Sequence, residues 1–115
     1  MPSYTDLPVY NDCLTLLVFY EQLIEHMPRD KRFGVGGEAR KSMIDVMVCV
    51  YKANKSVVGR KENIAAALEN MVRVQILLRL LNELKVISAK QFMMTAEQTV
   101  NITKQLGAWH NKTKE

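Results

Sequence analysis

Catalysis and metal binding need nucleophiles, acids, bases or soft ligands at particular spacings, and this chain offers few of them. The histidines, His26 and His110, fall at the ends of predicted helices. Neither has a second His, Cys or carboxylate at ligand spacing on its own helix face. The Glu-x-x-His pattern of di-metal bundles is also missing, since Glu25 and His26 are adjacent. Cys13 and Cys49 lie 36 residues apart inside apolar runs, with no basic neighbour in sequence to lower a thiol pKa. They read as buried, inert thiols and not as a nucleophile or a disulfide framework. Phe33-Gly34-Val35-Gly36-Gly37 has glycines but neither the Lys-Ser/Thr ending of a phosphate-binding loop nor a strand before it. It reads as a flexible turn, with Arg29, Lys31 and Arg32 beside it as candidate phosphate contacts. The expectation is a protein with no catalytic residues, no metal, no cofactor and no small-molecule substrate.

Basic side chains are what remain as functional candidates. Arg40, Lys41, Lys52 and Lys55 belong to the second predicted helix; Arg60, Lys61, Arg73 and Arg79 belong to the third. Arg79 stands apart, because Leu77-Leu78-Arg79-Leu80-Leu81 sets a permanent cation in the most apolar stretch of the chain. Burying it unpaired would cost several kcal/mol, so it must be paired, wet or awaiting an anion. Between Val74 and Leu81 only Gln75 and Arg79 are polar, and four residues apart they share one stripe. The apolar remainder sweeps roughly 200° of the helix, against the ~100° that a single core consumes. One side packs in its own domain and the rest calls for another chain, with Leu77, Leu78, Leu80 and Leu81 serving core or oligomer packing. Were several copies of this helix to meet around an axis, Gln75 and Arg79 would line a positive channel. Phosphates would be held there with steep salt dependence. Base-stacking aromatics are not interleaved with these cations, so base-specific readout is not expected.

The elements that must carry these residues are helical. With 115 residues, 48% of them hydrophobic, and only three prolines and five glycines, the chain is sized for one domain with a real core. Helices are predicted over 7–26 (Asp6 as cap, Pro8 in the first turn, Pro28 as stop), 38–55, 60–85 and 88–109. The spacing of Ser88 and Gln91 predicts a capping box on the last. Residues 29–37 and 56–59 read as loops, 1–110 as the bundle domain and 111–115 as a polar tail. Met43, Met47 and Met71 fall at core-facing positions. Short connections make the architecture an all-α, antiparallel up-down-up-down four-helix bundle. Charge is uneven: residues 1–28 carry −4, whereas residues 29–90 hold thirteen bases against six acids. That concentration suits a polyanion or an acidic protein surface. The longest apolar run near the N-terminus, Leu14 to Tyr20, is too short to span a membrane, and a cytoplasmic location is expected.

Several of these motifs together resemble a known family. Met27-Pro28 followed by Arg32-Phe33-Gly34 after the first amphipathic helix is similar to the four-helix proteins encoded in ribosomal RNA intervening sequences. Within that group, Leu77-Leu78-Arg79-Leu80-Leu81 and the Leu106-Gly107-Ala108-Trp109 ending, about twenty residues after the Ser88 cap, resemble the accessory variability determinant (Avd) proteins of diversity-generating retroelements. The second helix, Met47 to Asn54, lacks the proline of the intervening-sequence branch, which favours Avd. The resemblance implies a homopentameric barrel of basic four-helix bundles without catalytic activity. Its partners would be a reverse transcriptase and template RNA, with DNA as a further candidate, in the service of mutagenic complementary-DNA synthesis. It places Arg79 at the family's basic third-helix position and Gln75 where a second arginine can occur, and it gives Trp109 a packing role. The alternative is a structural four-helix oligomer of the intervening-sequence type with no nucleic-acid role.

Overall fold

The scarcity of helix breakers and the 3.6-residue apolar period leave this chain to fold as helices. In the computed structural model, which describes residues 3–114, a 3-10 turn at Tyr4–Asp6 leads into α1 (Pro8–Ile24), α2 (Arg29–Phe33), α3 (Val35–Lys55), α4 (Arg60–Glu83) and α5 (Ala89–Lys112). Among the described residues there is no strand. Met1, Pro2 and Glu115 lie outside the description, so the ends of the predicted bundle domain and of the polar tail are not covered.

Four long helices make a bundle of 43 × 20 × 19 Å. A 24-residue helix is about 36 Å long, so they run along its long axis. α1 packs between α3 and α5, and α4 packs between the same two. The order around the bundle is therefore α1, α3, α4, α5. Tyr20 and Glu21, late in α1, meet Gly36 and Arg40, early in α3. Asp12, early in α1, accepts from Asn101 Nδ2 at 3.0 Å and Gln105 Nε2 at 2.6 Å, late in α5. Both neighbours of α1 thus run antiparallel to it, and short turns impose the same on α3–α4 and α4–α5.

Each long helix commits about a third of its circumference to one core, including Leu16, Tyr20, Val46, Val50, Ile64, Met71, Leu78, Leu81, Ile102 and Leu106. Met43 and Met71 are buried as expected, and Met47 packs on the core's edge. Tyr20 is fully buried, and its hydroxyl donates to the Gly36 carbonyl at 2.7 Å. The Ser88 capping box forms: Gln91 N–H donates to Ser88 Oγ at 3.1 Å and Ser88 N–H to Gln91 Oε1 at 2.9 Å.

Three local expectations are corrected. Residues 29–37 are not a loop: Pro28 opens the short helix α2, the chain bends once at Gly34, and α3 begins at Val35. The glycines here serve close packing. A Cβ on Gly36 would stand 2.8 Å from the Lys31 carbonyl oxygen and 2.7 Å from Met27 Sδ, and one on Gly37 would stand 2.9 Å from the Arg32 carbonyl oxygen. Asp6 does not cap α1, because it closes the preceding 3-10 turn and lies one position too early. Leu7 is the N-cap, without a side-chain bond, and Pro8 fills N1, where no amide is needed. The last helix runs on to Lys112, two residues into the predicted tail, where Thr113 Oγ1 donates to the Trp109 carbonyl at 2.8 Å.

Candidate nucleic-acid and assembly surface

The bases of α3 and α4 divide by what their neighbours leave them to do. Arg60 stands at the start of α4, where Nε donates to the Ala53 carbonyl at 2.7 Å and Nη2 to the Asn54 carbonyl at 3.4 Å. A cation is thereby placed on the orphan carbonyls of the end of α3. Arg40 pairs through Nε with Glu21 at 2.5 Å and ties α3 to α1. Lys61 is half-buried. Lys41, Lys52 and Lys55 lie along the outward face of α3, all exposed, with the Lys55 ammonium 5.8 Å from the Tyr51 ring centroid. Arg73 and Arg79 are exposed on α4, and Gln75 is half-buried. The nine predicted contacts therefore do not converge on one spot. Arg40, Arg60 and Lys61 are engaged in structure, and the exposed cations follow the outward faces of two neighbouring helices.

Arg79 needs no buried partner in the single chain. Val74, Leu78 and Leu81 take the core side of α4 and Leu77 its margin, which turns Arg79 to water. The predicted surplus of apolar surface is present: Val72, Ile76 and Leu80 are 54%, 62% and 40% exposed. Trp109, on α5, packs half-buried against the core.

Sequence reasoning missed two features. On another edge of the bundle, α1 exposes Leu14 and Val18 and α3 exposes Ile44, Val48 and Tyr51. Beside these residues a groove of about 360 Å³ lies between Tyr10 and Leu17 of α1 and Ile44, Met47, Val48 and Tyr51 of α3, with Tyr4 at its edge, whose ring meets Tyr10 and Tyr51 edge-on at 5.0 Å. The i, i+4 spacing of Ile44 and Val48, off the core stripe of α3, is the signal that marks it. The second feature is Phe33, 74% exposed at the tip of α2 with the Arg29 guanidinium 5.7 Å from its ring centroid. Beside it is a cleft of about 800 Å³ whose walls mix Arg32, Arg40 and Lys41 with Glu21, Glu25 and Glu38.

No family model and no curated protein matches this chain. Among the described residues, no group of three or more His, Cys, Asp or Glu is arranged to hold a metal ion, and no helix is long and apolar enough to cross a membrane. Cys13 and Cys49 are free thiols. Burial pushes Cys13 up to about 12, with the Asp12 carboxylate adding to the rise. Contrary to expectation, Cys49 is only half-buried and has a basic neighbour one turn on, Lys52, which opposes the rise that burial imposes on its thiol.

Proposed function

We propose that this chain is a non-catalytic accessory protein of the Avd kind, a basic homopentamer working in the cytoplasm that engages a reverse transcriptase and its template RNA. In that role it supports the mutagenic complementary-DNA synthesis of a diversity-generating retroelement. One observation carries the reading: the outward face of α4 presents Val72, Ile76 and Leu80 to water alongside Arg73 and Arg79. A lone bundle has no use for an apolar row of this kind, whereas an assembly buries it and gathers the flanking cations of several copies. Concentrated cations then bind phosphates by releasing counterions, independent of base sequence.

The test is binding of a labelled single-stranded RNA, followed by anisotropy over a salt series, with mass in solution from light scattering. The wild-type protein is expected to assemble and to bind RNA with an affinity that falls steeply with salt. Arg79→Ala should assemble unchanged and shrink the slope of log K against log salt by about one for each phosphate that Arg79 neutralises. An assembled wild-type protein that ignores both RNA and a reverse transcriptase would instead support the structural oligomer. One observation favours that second reading: the guanidinium groups of Arg40 and Arg60 are already committed to Glu21 and to the end of α3.

A further inference from the structure

We infer that the outward face of α4 in one copy seats on the α1–α3 groove of a second copy, a head-to-tail contact centred on Ile76 against Val48. The inference rests on the oligomeric reading above and specifies which surfaces meet. Shape is the first argument. Val72, Ile76 and Leu80 form an i, i+4, i+8 row, the ridge that helices insert into one another's grooves. On α3, Ile44 and Val48 form one wall of a groove whose other wall is Tyr10 and Leu17 of α1. The ridge belongs to one edge of the bundle and the groove to another, so neither covers the other within a single chain.

Charge complementarity identifies the occupant as a copy of this chain. Along α3 the exposed residues Lys41, Val48 and Lys55 recur every seven positions; along α4 Glu69, Ile76 and Glu83 do the same. Each line spans about 21 Å at 1.5 Å per residue. Both lines set an apolar residue between two like charges, cationic on α3 and anionic on α4, where Arg73 and Arg79 flank the central line on its two sides. Setting Val48 against Ile76 places a lysine opposite a glutamate at both ends, whichever way the helices run. Either line against itself would oppose like charges, so the contact is heterologous and repeats from copy to copy. Gly107, on the helix that neighbours α4, is consistent with close approach of a second chain. It follows Met93 and Val100 at seven-residue spacing on α5, and a Cβ there would meet nothing within 4 Å in the single chain. A mid-helix glycine costs about 1 kcal/mol relative to alanine, which an incoming backbone would explain.

Two single variants test the pairing, Val48→Asp in the groove and Ile76→Asp on the ridge. Both sites are exposed, at 43% and 62%, so circular dichroism should show helicity unchanged. By light scattering each variant alone should be a 13.2 kDa monomer. Mixed in equal amounts they should give a discrete dimer of twice that mass, because each supplies the face that the other lacks. Assembly of either variant alone to the wild-type mass, or a mixture that stays monomeric, would overturn the face assignment while leaving the oligomeric reading intact. A wild-type protein that is monomeric at all concentrations would overturn both.

Discussion

Cys13 sits within the core, and its thiol is pushed from 9.0 up to about 12, first by burial and then by the Asp12 carboxylate. The fold therefore holds this proton more tightly than the unfolded chain does. Stability from this group is complete below pH 9 and is lost as pH climbs from 9 towards 12, at up to about 1.4 kcal/mol per pH unit. Tyr20 is shifted in the same direction by burial and by Glu21, so it adds to the alkaline loss. Between about pH 8 and pH 10.5, urea midpoints should fall for the wild-type protein and fall less for Cys13→Ala. That variant carries a cavity cost at every pH but lacks the titration. Equal falls for both would show that Cys13 does not contribute. The buried character of this thiol is legible in the sequence, because Cys13 shares a stripe with Val9, Leu16 and Tyr20. The exposure of Arg79 is less so. A helical wheel joins it to Gln75 but cannot say which side of a roughly 200° apolar arc becomes core. That choice is made by Leu78 and Leu81 packing against other helices.

Among the elements, the four long helices are readable because their apolar periods are unbroken and Ser88 and Gln91 announce a start. The junction between α1 and α3 is not readable, since glycine marks both flexible loops and close helix packing. At Gly36 the second meaning holds, with the Lys31 carbonyl oxygen 2.8 Å from where a Cβ would sit. The end of α4 shows the converse case. Lys85 occupies a left-handed position, with φ of 62°, inside a closing turn where its amide donates to the Asn82 carbonyl and the Val86 amide to the Leu81 carbonyl, both at 2.9 Å. Glycine is the usual residue there because it carries no Cβ penalty. Two substitutions should therefore move stability in opposite directions. Gly36→Ala should lose about 1–3 kcal/mol by overpacking α2 against α3, despite alanine's better helix propensity. Lys85→Gly should gain up to about 1 kcal/mol by relieving the left-handed lysine. Chemical denaturation of the pair checks both signs, and a Gly36→Ala protein as stable as the wild type would show that α2 shifts without cost.

For the molecule as a whole, the basic middle of the sequence and the apolar excess of α4 both survive into three dimensions, and they meet on the outward face of α4. Cations line the outward faces of α3 and α4, and apolar rows lie among them. Composition reports totals, and only the packing of helices shows which side chains the core leaves over. If those leftovers are buried between copies, unfolding is coupled to dissociation, and stability must depend on concentration. For a chain of this length the unfolding entropy is about 0.24 kcal/mol per kelvin, so a roughly hundredfold rise in concentration, worth roughly 2 kcal/mol per subunit, should lift the wild-type Tm by about 5–10 °C. Ile76→Asp removes one of the two faces, so its Tm should hold constant over the same range and coincide with the dilute limit of the wild type. Calorimetry across that range reads both curves. A wild-type Tm that does not move would mean that Val72, Ile76 and Leu80 stay wet, and that the cations beside them act from a single bundle.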